Sequence, residues 1–122
     1  MFWEGINQRK FPRAEYKCNL RLLRKRYSPG MDAYTSNIGA GGICVVLEDP
    51  LELFEDVEIE LYVKEGQRPV SCTGTIVWVV RSGQPGKGRN AGYDTGIEFL
   101  NITREDKKQI EILVQKLLDS RA

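Results

Sequence analysis

The stretch 91-AGYDTGIEFLNITREDKKQIEILVQKLL-118 changes its hydrophobic period halfway along. In the first half, Ile97 and Phe99 share one face and Gly96 and Glu98 the other, the period of two of a half-buried strand. In the second half Ile110, Leu113, Val114, Leu117 and Leu118 recur at helical spacing, so an amphipathic helix is expected from about 104 to 119. Thr103 followed by Asp106 is a capping-box-like start, which sets the helical segment at about 103–119; Glu105 and Asp106 suit the positive end of the helix dipole. One strand therefore hands over to one terminal helix, and the segments before it decide the class.

Those segments are strands. Tyr16, Cys18, Leu20 and Leu22 alternate with Lys17, Asn19 and Arg21. "SPG" at 28–30 is a turn signal, and a short strand at 32–38 leads into the glycines at 39, 41 and 42. "ICVVLE" is a more buried strand that Asp49-Pro50 breaks. Val57, Ile59, Leu61 and Val63 alternate again, and "VSCTGTIVWVVRS" is a long strand in which Gly74 marks a bulge or a close approach. "GQPGKG" turns the chain into the last strand. About six strands followed by one helix predict a mainly β fold, a small antiparallel barrel with an appended C-terminal helix.

The chain has 122 residues, enough for one domain with a modest core, and its 41% hydrophobic and 29% charged content is ordinary for a globular protein. No apolar run approaches the length of a membrane span and "MFWEGINQRK" has no signal-peptide core, so the protein reads as cytoplasmic, without membrane insertion. Cys18, Cys44 and Cys72 are odd in number and show no CxxC spacing, and there is no histidine; buried free thiols are expected, with neither a metal site nor a disulfide framework. Net charge is +1, but it is unevenly placed. Basic residues dominate the first 31 positions, where only Glu4 and Glu15 are acidic, and acidic residues dominate 48–65, where only Lys64 is basic. A basic N-terminal segment suits a small anion, while the acidic segment repels nucleic acid; solvated faces with internal ion pairs are the plainer reading of both.

Enzyme chemistry finds little support. The commonest general base is missing, no serine sits in a GxSxG elbow, and no cysteine has an evident activator. "GQPGKG" resembles a phosphate-binding loop only superficially, because Arg81 stands where its first glycine belongs and Gly88 where Ser or Thr must meet magnesium. Trp78 is expected in the barrel's packing, and Arg81 and Arg89 as solvated loop charge.

Two short motifs remain. In "RKFPR", residues 9–13, Pro12 pushes Phe11 toward an extended conformation, and in an extended chain Arg9 and Arg13 project to the same side. A solvated basic tail is the alternative. In "NIGAGG", residues 37–42, the glycines serve either a strand-to-strand corner or the approach of a flat ligand to a surface without side chains.

Taken together and in order, these motifs resemble the PilZ domain, whose signatures are RxxxR and [D/N]xSxxG. "GTIVW" at 74–78 and "GIEFL" at 96–100 resemble its glycine-containing and final strands, and the likeness runs from Arg9 to about Leu118. The resemblance implies a six-stranded antiparallel barrel at 15–122, preceded by a flexible segment 1–14 that carries RxxxR, and it implies cyclic di-GMP as ligand with no further cofactor. The implied ligand-binding residues are Arg9, Arg13, Asn37, Gly39 and Gly42. Guanine's N7 and O6 suit an arginine fork, its phosphates also accept from guanidinium, and its N1 or N2 can donate to the Asn37 amide oxygen. Gly39 departs from the motif's serine; on hydrogen bonding alone, the lost hydroxyl is worth about 0.5–1.5 kcal/mol.

The implied role is a non-enzymatic receptor whose N-terminal segment orders over the nucleotide and builds a surface for a downstream protein. A degenerate adaptor that works through protein contacts without nucleotide is the alternative. A barrel for single-stranded nucleic acid would need an aromatic-lined basic groove, whereas Tyr62 and Glu60 share an acidic strand region.

Overall fold

In the computed structural model, residues 12–24, 27–64, 66–81 and 92–121 are described. Their elements are β1 (Arg13–Glu15), β2 (Asn19–Arg24), β3 (Tyr27–Gly39), β4 (Gly42–Leu47), β5 (Asp56–Tyr62), β6 (Val70–Arg81), β7 (Tyr93–Phe99) and helix α1 (Arg104–Arg121). All pairings are antiparallel, and the sheet closes in the order β3–β2–β5–β6–β7–β4 and back to β3. This is the six-stranded barrel expected from the alternating segments, with the terminal helix appended.

The short β1 also pairs with β3, at Arg13↔Gly39, Ala14↔Ile38 and Glu15↔Asn37, next to where β2 pairs with the first part of β3. β1 and β2 are thus successive pieces of one line, interrupted at Tyr16–Cys18. Thr35, only 3% exposed, ties the interruption together: its hydroxyl accepts from the Cys18 amide (3.0 Å) and donates to the Tyr16 carbonyl (2.6 Å). The barrel ladder consequently starts at Arg13, two residues before the boundary expected at 15. The rest of the expected flexible segment, residues 1–11, lies outside the described residues.

The turn expected at 28–30 is not a turn. Residues 27–39 form one continuous strand, and the register between β2 and β3 shifts between Leu22 and Arg24. Met31 faces Leu22 while Tyr27 faces Arg24, so Ser28, Pro29 and Gly30 together face a single β2 residue. Proline and glycine here mark a bulge, which needs fewer ladder donors, rather than a reversal of the chain. The "GQPGKG" turn lies outside the described residues.

Alternation puts Leu20, Leu22, Ile38, Ile43, Val45, Val57, Ile59, Leu61, Val70, Ile76 and Ile97 inside, each essentially fully buried. Burying one such side chain is worth about 1.5–3 kcal/mol. Gly74 also faces inward: a Cβ there would come within 2.6 Å of Ile97 Cγ2 and 2.8 Å of Ile59 Cδ1, so the glycine is a close approach. The one register shift between β6 and β7 falls between Ile76 and Trp78 instead.

Helix α1 starts as its sequence suggests. Thr103 Oγ1 accepts from the Asp106 amide (3.1 Å), and the Thr103 carbonyl takes the first helical bond from Lys107 N (2.9 Å). Its apolar stripe packs against β1 and β3, with Ile110 and Val114 buried in the same cluster as Ala14. The three cysteines are free and buried, and burial pushes the Cys72 thiol up to about 12.

Candidate functional site

The sequence places Asn37, Gly39 and Gly42 at the end of β3 and the start of β4, and the fold decides which way they face. Ile38 and Ile43 point into the core, so their neighbours Asn37, Gly39, Gly42 and Cys44 belong to the outer face. Registers extend this into two rows across the barrel wall. One runs Arg13, Gly39, Gly42, Glu98; the other runs Glu15, Asn37, Cys44, Gly96, Trp78.

Three of the outward positions in these rows are glycines, and each is glycine for a steric reason. A Cβ on Gly39 would lie 2.8 Å from the Pro12 carbonyl oxygen and 3.1 Å from Arg13 Cγ. A Cβ on Gly42 would run into the Ile97 carbonyl, and one on Gly96 into the indole of Trp78. The result is a strip of β3, β4 and β7 whose own positions carry no side chains and onto which neighbours pack closely: Pro12–Arg13 over Gly39 and the Trp78 indole over Gly96.

Polar groups border the strip. Arg13 is half-buried, with both terminal guanidinium nitrogens buried. Asn37 is also half-buried, and its amide oxygen Oδ1 is buried and meets no hydrogen-bond donor among the described residues. A buried acceptor without a partner costs roughly 1–3 kcal/mol, so a donor from beyond the described residues is called for.

Arg13, Asn37, Gly39 and Gly42 are therefore brought together on one face, while Arg9 and Arg89 lie outside the described residues. Gly39 does more than lack a hydroxyl, because the space above it is filled by the Pro12–Arg13 backbone. Trp78 was expected inside; it lies on the outer wall across Gly96, half-buried. Parity alone would have kept it inside. Gly74 and Ile76 share the inner face, and the β-bulge between Ile76 and Trp78 moves the tryptophan to the other one.

Two surface clefts of about 470 and 480 Å³ lie elsewhere, both against Asn19, Tyr34 and Tyr62. None of the motif residues lines them. The motif face is a wall rather than a cleft, and it is covered: Gly39, Gly42, Cys44 and Gly96 are buried, as are the terminal nitrogens of Arg13 and the amide oxygen of Asn37. Among the described residues no group of His, Cys, Asp and Glu is placed to hold a metal ion.

Comparison with known proteins fits this geometry. The PilZ domain model matches residues 7–116. No curated protein matches. Among solved structures, the chain is similar to the PilZ domain of YcgR from Escherichia coli, solved with c-di-GMP. The TM-score is 0.73 at 14% identity, covering 93% of this chain and 94% of that one. It is also similar to the Bacillus subtilis inhibitor of motility MotI (TM-score 0.71, 18% identity, 93% of this chain, 51% of that one). A third is the K. pneumonia MrkH–c-di-GMP complex (TM-score 0.71, 15% identity, 92% and 52%). The chain thus spans about half the length of the MotI and MrkH chains.

Proposed function

This chain belongs to the PilZ domain family, and from that premise we propose that it is a non-enzymatic receptor for cyclic di-GMP that binds the nucleotide on the glycine strip. The observation that carries the reading is the buried Oδ1 of Asn37, which meets no donor among the described residues, in the strip bordered by the Arg13 guanidinium. A guanine base is chemically matched to both groups. Its N1–H and N2–H2 donate to the amide oxygen, and its N7 and O6 accept two parallel N–H bonds from an arginine fork. The phosphates provide the charge-assisted alternative for the second fork, and Arg9 and Arg13 divide the two tasks. Gly39 and Gly96 let Arg13 and the Trp78 indole lie close on the wall, where they flank the base.

The N-terminal segment that carries Arg9 supplies the second wall of the bound site. Closing over the nucleotide, it builds a composite surface for a downstream protein, the output step of the receptor. The site of action is the cytoplasm; no helix among the described residues is long and apolar enough to cross a membrane.

Gly39, in place of the motif's serine, favours a second reading, an adaptor of the same fold that takes no nucleotide. Calorimetric titration with cyclic di-GMP, with GTP and GMP as controls, separates the two. Saturable heat with cyclic di-GMP alone is the expected result. No heat or spectral shift at high ligand concentration sinks the receptor reading and leaves the adaptor.

A further inference from the structure

We propose that Gly39 is a positioning residue for Arg13: having no side chain, it lets the Pro12–Glu15 stretch lie zipped to β3 in the nucleotide-free protein. The second arginine of the pair is then held over the barrel before ligand arrives. The docking itself stands on packing; only its effect on affinity rests on the cyclic di-GMP reading.

The contact is backbone to backbone. Arg13 faces Gly39 directly in the ladder, and a Cβ on Gly39 would sit 2.8 Å from Pro12 O, 3.1 Å from Arg13 Cγ and 3.7 Å from Arg13 Cα. A carbonyl oxygen cannot swing aside as a side-chain tip can, so any residue larger than glycine must move β1. β1 is also the element that a single methyl group can lift without opening the barrel. It is three residues long and follows the line of β2 only after a break.

What holds β1 down is otherwise intact. Ala14 is 3% exposed in the core cluster and α1 packs on the strand. The Tyr16 amide donates to Ser36 O at 3.3 Å, and the Tyr16 hydroxyl donates to Val63 O at 2.9 Å. The family's serine and a docked β1 therefore compete for one space. In this chain the choice falls on packing, which replaces a hydroxyl contact to the ligand with a preplaced guanidinium. Preplacement raises affinity by removing the ordering that binding would otherwise have to impose.

The test pairs hydrogen exchange with titration, on the wild-type chain, Gly39→Ala (the Cβ alone) and Gly39→Ser (the Cβ with the motif's hydroxyl). In the nucleotide-free wild type, the amides of Ala14 and Tyr16 should exchange at least about a hundredfold more slowly than an open chain. In both variants these two amides should lose about tenfold or more of that protection. The Thr35 amide, bonded to Cys18 O at 3.0 Å, should keep its own. Both variants should bind cyclic di-GMP several-fold more weakly than wild type, Gly39→Ser included. Unprotected Ala14 and Tyr16 amides in the wild type overturn the proposal, and that measurement needs no variant to fold. So does a Gly39→Ser protein that binds more tightly than wild type. If no protein in the set binds the nucleotide, the receptor reading fails while the exchange data still decide the docking.

Discussion

The outer face around β4 and β7 and the outer face of β2 and β5 follow the same alternation, yet they present opposite surfaces. Across β2 and β5, with the first half of β3, the outward positions are filled: Asn19, Arg21, Asp32, Tyr34, Glu58, Glu60 and Tyr62. These groups engage one another. The Tyr62 hydroxyl donates to Glu60 at 3.0 Å, which holds its own proton on more tightly, and the Lys17 ammonium sits 4.5 Å from the centre of the Tyr34 ring. Across β3, β4 and β7, by contrast, glycines stand where side chains would be, and Asn37 keeps an acceptor that nothing described supplies. One wall is finished by its own residues. On the other, the described residues leave one buried acceptor unmet.

The largest effect that would break this contrast is on binding. Arg13→Ala should weaken cyclic di-GMP binding by at least about tenfold, in line with the roughly 1.5–3 kcal/mol of a hydrogen bond to a charged group. Arg21→Ala, on the finished wall, should leave affinity unchanged. Calorimetry on both, with circular dichroism to check the fold, decides it; equal affinities would place the ligand elsewhere.

Stability gives the next effect. Gly42→Ala drives a methyl group into the Ile97 carbonyl and should destabilise the barrel by about 1–3 kcal/mol. Tyr62→Ala, at a position 41% exposed on the other wall, should stay within about 0.5 kcal/mol of wild type. Urea melts measure both, and a silent Gly42→Ala would mean that the strip tolerates side chains after all.

The smallest effect is a pH dependence on the finished side. Arg24 donates to Glu55 through Nε and Nη2, the latter at 2.8 Å, and this hydrogen bonding, assisted by the Glu52 amide, holds the Glu55 carboxyl below the ordinary glutamate value of 4.5. A carboxyl depressed in the folded state stabilises above its unfolded pKa, and that stability is lost as pH falls through the folded one. Thermal melts of wild type against Glu55→Gln should therefore differ most near neutral pH and converge only as pH falls through the depressed folded-state value, below that of a free glutamate. A constant difference across the range would show that the pair's charge contributes nothing.

Much of the barrel was legible because its cause is local. Alternation at 57–63 and 70–76 and the change of period after 103 report burial directly, and the helix cap at Thr103 needs only its own turn. The features that escaped depend on neighbours far away in sequence. Ser28-Pro29-Gly30 has a turn's composition, but the pairing of Tyr27 with Arg24 makes it a bulge. Trp78 has the composition of a core residue, but a register shift turns it outward. The motif residues were visible as types, while the role of Gly39 was not, since a missing hydroxyl and a missing Cβ look the same in a string of letters.

The amino-acid sequence by itself determined that this chain alternates into strands, closes with a capped amphipathic helix, and carries a guanidinium pair and a glycine-rich corner. Those properties follow from spacing and residue chemistry within a few positions. Only the tertiary structure decided that three glycines from β3, β4 and β7 line up in one strip, that Asn37 Oδ1 is buried with no donor among the described residues, and that Arg13 lies zipped over Gly39. The reason is physical: steric exclusion and hydrogen-bond satisfaction are set between strands 4.7–4.9 Å apart in space, not between neighbours in the chain.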